Sequence, residues 1–143
     1  MVNTAAISKQ VDQFKLGKDS SIEYYKQLFT KHPDVQEAYG ADGIDPDAIG
    51  RSQRFLMMAQ SELQFFLHLA KHADNEREWR SALSNFKEQF SDVDASLKLF
   101  NKLTDPFLAT LEKYGGGLTA EQKKVWQELL AKAYTDMKAW GWY

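Results

Sequence analysis

The chain has 143 residues and no cysteine, with a net charge of -2 and an aromatic content of 13%. This length suffices for one domain with a sizeable core and is too short for two, so we expect residues 1–143 to form a single domain. The missing cysteines exclude disulfides, zinc–thiolate sites and thiol catalysis, and the small net charge gives no electrostatic reason to bind nucleic acid or acidic membranes.

Targeting and membrane signals are not visible in the sequence. No apolar run approaches the roughly 20 residues of a membrane span. The N-terminal stretch MVNTAAISKQVDQF lacks a basic start followed by an apolar block, so it does not read as a signal peptide. We expect a soluble protein that is cytoplasmic rather than secreted, although a trimmed secreted form would show the same features.

The first third of the chain predicts three helices. Helix formers fill the intervals between three prolines and eight glycines, and strand-like alternation is nearly absent, which indicates an all-α fold. Asn3 or Thr4 is a candidate cap for the first helix. Ser20 or Ser21 is a candidate cap for the second, and Pro33 can open a short helix over 33–39. The second helix is expected to turn these apolar residues inward: Ile22, Tyr25, Leu28 and Phe29.

The middle of the chain predicts two long helices and an interrupted one. Pro46 starts a helix that is expected to continue to about residue 72, and DNEREW (74–79) begins another that runs to about residue 90. Asp94 is a candidate cap for the next helix, which extends to Tyr114. An interior proline removes a hydrogen bond and clashes with the preceding turn, so we predict a kink or break near Thr104–Pro106.

The C-terminal part predicts one more helix and a packed tail. Glycines 115–117 end the preceding helix, and Thr119 with Gln122 matches the capping-box pattern of a helix start. The closing residues AWGWY are expected to pack back on the body, with a sticky interface as the alternative.

The order and spacing of these segments resemble the globin family, and its nematode branch most closely. EYYKQLFTKHPDVQEAYG (23–40) is similar to the second globin helix running into the short third, and IDPDAIGRSQRF (44–55) to the start of the long distal helix. GLTAEQKKVWQELL (117–130) is similar to the start of the last helix. The resemblance covers the whole chain and implies a globin fold of seven to eight helices. Tyr25 then falls where nematode globins place a distal-pocket tyrosine, and Phe29 where globins often carry phenylalanine.

The resemblance also implies a haem between the family's distal and proximal helices, with a proximal histidine on the iron. The proximal position falls on Phe90, which cannot coordinate iron. The three histidines are His32, His68 and His72, so no register of the proximal helix supplies one. With Trp79, Leu83 and Phe86, Phe90 continues an apolar stripe. We predict that it fills core space, and stacking on a bound ligand is the alternative.

The distal positions depart from the family as well. Met58 falls on the distal position, where a thioether could ligate haem but usually belongs to a core. Tyr39 falls where globins keep a phenylalanine against the haem. Glu62 falls where they carry Val, Ile or Leu.

A helical wheel places Glu62 inward without help from any alignment. Its wheel neighbours are Phe55, Met58, Ala59, Phe66 and Leu69. A carboxylate there is costly unless it is paired, and burial raises its pKa. Tyr25 is the natural partner and Tyr39 the second choice. In a structural role, Glu62 accepts a hydrogen bond from a buried tyrosine or reaches water at a rim. In a functional role, it is a polar anchor inside a pocket. Glu62→Leu is expected to leave the fold intact and to be neutral or stabilising for the folded protein.

The sequence shows no catalytic or metal-binding set. His68 and His72 are spaced i, i+4 on the polar face without a carboxylate nearby in sequence, so a solvated pair is expected rather than a metal site. We therefore predict that the protein is not an enzyme.

The pattern favours a globin-fold protein that does not bind haem conventionally and acts as an interaction, carrier or sensor module. No cofactor is expected. The alternative is a haem protein for oxygen storage or transport with an unusual iron ligand. Candidate partners are a small apolar ligand, a protein or a second copy of the chain, and neither nucleic acid nor a membrane. The predicted pocket residues are Tyr25, Phe29, Tyr39, Phe55, Met58, Glu62, Phe66, Phe86 and Phe90.

Overall fold

The computed structural model describes residues 3–89 and 97–143, and all regular structure in these ranges is helical. The α-helices are α1 (Ser8–Gln13), α2 (Lys18–Lys31), α3 (Pro33–Ala38), α4 (Gln53–Lys71), α5 (Glu76–Gln89), α6 (Thr104–Tyr114) and α7 (Ala120–Ala139). Three 3-10 segments accompany them, at Thr4–Ile7, Pro46–Arg51 and Leu97–Leu103. The predicted all-α fold is confirmed. No helix within the described ranges combines the length and the apolar character that crossing a bilayer requires.

Helix α2 occupies the middle of the arrangement. It packs against α4, against α6 and against the 3-10 segment Pro46–Arg51. Helix α5 packs on α4, and α7 packs on the two 3-10 segments Thr4–Ile7 and Leu97–Leu103. The core between these layers is rich in aromatic side chains, and the largest fully buried ones include Trp79, Trp126, Tyr24, Tyr25 and Phe66.

The start of α2 differs from the predicted serine cap. The helix begins one turn earlier, with Gly17 as its N-cap residue. The Oγ of Ser20 accepts a hydrogen bond from the N–H of Gly17 at 3.0 Å, and the Ser21 hydroxyl donates to the Gly17 carbonyl at 2.7 Å. Both serines therefore stabilise the helix start from inside its first turn.

The predicted helix over 46–72 is wrong in one respect, because it is two segments. The 3-10 segment Pro46–Arg51 ends at Ser52, whose backbone is extended. The Oγ of Ser52 then accepts from the N–H of Phe55 at 3.2 Å and caps α4. A serine in an extended conformation is a favoured N-cap, so the chain restarts a helix there. The restart orients α4 against α2.

Two other local predictions are confirmed. The structure changes from the 3-10 segment Leu97–Leu103 to α6 at Thr104, so Pro106 lies in the first turn of a helix, where its missing N–H is tolerated. Thr119 and Gln122 form the predicted capping box at the start of α7. The proposed cap Asp94 lies outside the described residues.

Helix α5 is fastened to the C-terminal part of the chain. The indole Nε1 of the buried Trp79 donates to Oδ2 of Asp136 in α7 at 2.9 Å. The guanidinium of Arg80 lies 4.8 Å from the ring centroid of Trp140, and the Lys87 ammonium lies 4.9 Å from that of Trp142. The tail packs back on the body as predicted, and it holds α5 in place.

Candidate functional site

The Glu62 carboxylate lies fully buried in α4 and accepts hydrogen bonds from three tyrosine hydroxyls. The hydroxyl of Tyr24 donates to Oε1 at 2.9 Å, and that of Tyr39 donates to the same oxygen at 3.1 Å. The hydroxyl of Tyr25 donates to Oε2. We call these four residues the Glu62 cluster.

Three separate elements bring the Glu62 cluster together. Tyr24 and Tyr25 are consecutive in α2, and both are fully buried because α2 is covered by α4 on one side and α6 on the other. Tyr39 follows α3, and its backbone N–H bonds to the Val35 carbonyl at 2.9 Å, which fixes the residue at the helix end. Glu62 enters from the facing side of α4.

Burial dominates the electrostatics of the Glu62 cluster. Loss of water around the carboxylate raises the pKa of Glu62 from 4.5 to about 7, and the three tyrosine hydrogen bonds oppose that rise. Burial, followed by the negative charge of Glu62, raises the pKa values of Tyr24, Tyr25 and Tyr39 well above 10.0. The tyrosines therefore remain hydrogen-bond donors, and Glu62 is the group that titrates near neutral pH.

Four of the predicted pocket residues form one aromatic group around the carboxylate. The ring centroids of Tyr25 and Phe29 are 4.9 Å apart, and those of Tyr25 and Tyr39 are 5.7 Å apart. Phe55 lies 6.4 Å from both Tyr25 and Phe29, with edge-on rings. The rings enclose the Glu62 cluster on the side of α2 and α3, so the structure brings these four residues together, and their role in a ligand pocket stays a prediction.

The remaining predicted pocket residues are centred on other parts of the core, although Phe66 also borders the Glu62 cluster, with 6.1 Å between its ring centroid and that of Tyr24. Phe66 contacts Phe107 of α6 at 4.6 Å between ring centroids, and Phe86 contacts Phe65 at 4.3 Å. These rings form a second group between α4, α5 and α6. Met58 is half-buried at the margin of the core. Phe90 lies outside the described residues, so its role as the residue in the proximal position stays a prediction.

Sequence reasoning missed Tyr24 and Phe65. Tyr24 supplies one of the three bonds to Glu62, and the signal was its place four residues before Leu28, which is also buried. Phe65 is the α4 residue whose ring meets α5. Each is next in sequence to a residue that the resemblance had already assigned to the pocket. A helix that other elements cover on two sides buries both of these consecutive residues.

The histidines do not converge on this interior. His68 is exposed, and its ring lies parallel to that of His72, 6.3 Å away. Glu78 of α5 approaches Nδ1 of His72 to 3.0 Å, a carboxylate contact that the sequence spacing did not indicate. The described residues contain no group of three or more His, Cys, Asp or Glu side chains arranged to hold a metal ion.

A haem held by a histidine of the proximal helix does not fit these residues. Helix α5 contains no histidine, and the chain has none after residue 72. Both oxygens of the Glu62 carboxylate are occupied by tyrosine hydroxyls. The rings of Phe65 and Phe86 also meet directly between α4 and α5, the two helices that would flank the porphyrin.

Comparison with known proteins places the fold in one family. The family model described as Globin matches residues 22–137. A hexacoordinated heme protein from an anhydrobiotic tardigrade superposes with a TM-score of 0.79 at 15% identity, over 95% of this chain and 90% of that one. The globin-like protein GLB-1 of C. elegans superposes with a TM-score of 0.78 at 22% identity, over 99% and 98%. No curated protein matches the chain. The predicted family and its nematode similarity are confirmed, and the chain belongs to the globin family.

Proposed function

We propose that this globin does not bind haem through a histidine and acts as a non-haem interaction, carrier or sensor module. The observation that carries the proposal is the Glu62 cluster, in which a fully buried carboxylate stands where globins carry an apolar residue over the haem. A buried ionisable group of this kind is expensive unless partners satisfy it, and three tyrosines do so here.

The chemistry of the Glu62 cluster opposes an oxygen-binding role. The resemblance implies that a distal tyrosine would govern oxygen, which requires its hydroxyl to be available inside the pocket. In this chain the Tyr25 hydroxyl donates to Glu62. A carboxylate that ionises near pH 7 would also place negative charge on the side of the site where a haem's distal face would lie.

The contact between α4 and α5 supports the same proposal. Rings of Phe65 and Phe86 at 4.3 Å between centroids gain the packing and aromatic interactions of an ordinary core. These two helices therefore stabilise each other directly through this ring contact. A globin with such a core is expected to fold firmly on its own.

Globins are generally non-enzymatic, and we extend this to the present chain. The only strongly shifted carboxyl in the described residues is that of Glu62, and its hydrogen-bond partners are tyrosines held protonated by burial. A general acid–base pair needs two groups whose pKa values bracket the working pH, and tyrosines above 10.0 do not supply the second.

The alternative is oxygen storage or transport by a haem with a non-histidine iron ligand. The likeness to the tardigrade protein, which is a hexacoordinated heme protein, favours this alternative. It would require the Glu62 cluster to open, because Tyr25 and Glu62 are bound to each other.

Thermal unfolding with and without haemin tests the proposal. We expect the protein purified without haem to unfold cooperatively and its Tm to stay unchanged when haemin is added, because a ligand raises Tm only if it binds the folded state. A histidine-ligated apo-globin measured alongside provides the positive control. A saturable rise in the Tm of this protein with haemin would favour the alternative.

A further inference from the structure

A surface groove runs between α4 and α5, on the side away from the Glu62 cluster. Its volume is about 520 Å³, which lies within the range of pockets that hold small molecules. The apolar part of its lining comes from Phe65 of α4 and from Ala82 and Phe86 of α5. We call it the α4–α5 groove.

One end of the α4–α5 groove carries the cationic and imidazole side chains. His68, His72 and Arg77 all line it there. The acidic side chain among the lining residues, Glu78, lies 3.0 Å from Nδ1 of His72 through its Oε2. Arg77 is exposed and forms no ion pair with any residue in 3–89 or 97–143. Its guanidinium is therefore free to meet an anion.

The combination of an apolar lining and an unpaired guanidinium matches one kind of ligand. An arginine binds a carboxylate with two parallel hydrogen bonds, which gives both charge and geometric complementarity. Amides and hydroxyls from both helices add further hydrogen-bonding groups along the walls, among them Gln64, Ser81 and Asn85. An alkyl or aryl body can lie against Ala82 and the edges of the two rings.

We propose that the α4–α5 groove binds a medium-sized amphipathic carboxylate, with its anionic group on Arg77 and its apolar body over Phe65, Ala82 and Phe86. The inference rests on the proposed function, because a haem between α4 and α5 would separate the helices that form the groove. It gives the carrier or sensor role a binding site and a ligand class.

Isothermal titration with octanoate tests the charge requirement, with octanol as the neutral probe of equal chain length. We expect saturable octanoate binding, with octanol at least about tenfold weaker, because one charge-assisted contact contributes on that order. Arg77→Gln is expected to weaken octanoate binding about tenfold by the same reasoning. Arg51→Gln removes an exposed arginine outside the groove and should leave octanoate binding unchanged.

A pair of serine variants tests the location. Ser81 and Ser84 are both exposed on α5, and only Ser81 lines the groove. Ser81→Trp is expected to abolish octanoate binding by filling the groove, and Ser84→Trp to leave it intact. Absence of octanoate binding, equal affinity for octanol, or unchanged binding in Ser81→Trp would each overturn the assignment.

The same protein separates failure of this inference from failure of the proposed function. Haemin is titrated into the wild type beside octanoate. Haemin binding overturns the proposed function, whatever octanoate does. If the protein binds neither haemin nor octanoate, only the assignment of the α4–α5 groove as a carboxylate site is overturned. The proposal that the protein does not bind haem through a histidine would then still stand.

Discussion

Replacing Glu62 with leucine is expected to lower the free energy of unfolding by about 2–4 kcal/mol at pH 5. The hydroxyls of Tyr24 and Tyr25 are fully buried, and within the described residues the Glu62 carboxyl is their only acceptor. A buried donor left without an acceptor costs about 1–3 kcal/mol. At pH 5 the folded protein holds Glu62 mostly neutral, so the leucine gains little from removing a buried charge. Urea unfolding followed by circular dichroism measures the loss.

Two further variants separate the lost hydrogen bonds from other effects of leucine. Glu112→Leu makes the same change at an exposed position of α6 and is expected to alter stability by less than about 0.5 kcal/mol. Adding Tyr24→Phe and Tyr25→Phe to Glu62→Leu removes the orphaned hydroxyls and is expected to restore most of the loss. A Glu62→Leu protein as stable as the wild type at pH 5 would show that the hydroxyls find other acceptors.

The stability of the wild type is expected to fall as pH rises from about 5 to 8, by about 2–3 kcal/mol from Glu62 alone. The pKa of Glu62 is about 7 in the folded protein against 4.5 for an ordinary glutamate. Below pH 4.5 both states are protonated, and Glu62 contributes no pH dependence. Between these two values the unfolded chain releases the proton while the folded chain keeps it. Each rise in pH then favours unfolding, and above pH 7 the effect is constant.

Urea midpoints measured at intervals from pH 4.5 to 8 isolate the contribution of Glu62 when Glu62→Gln is measured in parallel. Glutamine keeps the size of the side chain and one acceptor oxygen but does not ionise. We expect the difference between the two free energies of unfolding to change by about 3 kcal/mol across this range. The wild type becomes less stable relative to Glu62→Gln as pH increases. Parallel curves would mean that Glu62 ionises at its ordinary pKa in the folded protein.

Local rules predicted the helix boundaries where a single residue decides the outcome. Pro33 opens α3, and Thr119 with Gln122 starts α7, because proline geometry and the capping box act over one turn. The break at Ser52 escaped the sequence because Pro46 and the residues after Ser52 both favour helix, and the extended backbone between them depends on packing against α2.

The sequence predicted a buried Glu62 with a tyrosine partner, but it did not predict that three tyrosines would bond to the carboxylate. Helical periodicity alone turned Glu62 inward, and the order of the helices named Tyr25 and Tyr39 as its partners. Tyr24 became a third because α2 is covered by both α4 and α6, a tertiary arrangement that buries the i, i+4 pair of Tyr24 and Leu28 beside Tyr25. With one partner, Glu62→Leu is expected to be neutral or stabilising. With three, the buried hydroxyls reverse that expectation.

We propose that this globin does not hold haem through a histidine. An absorbance titration of the purified protein with haemin, followed in the Soret region, tests it most directly, with Phe90→His as the matched variant. We expect no saturable, sharpened band in the wild type, and a band in the variant if residue 90 occupies the proximal position. A stoichiometric Soret band in the wild type would contradict the claim, because another side chain would then hold the iron.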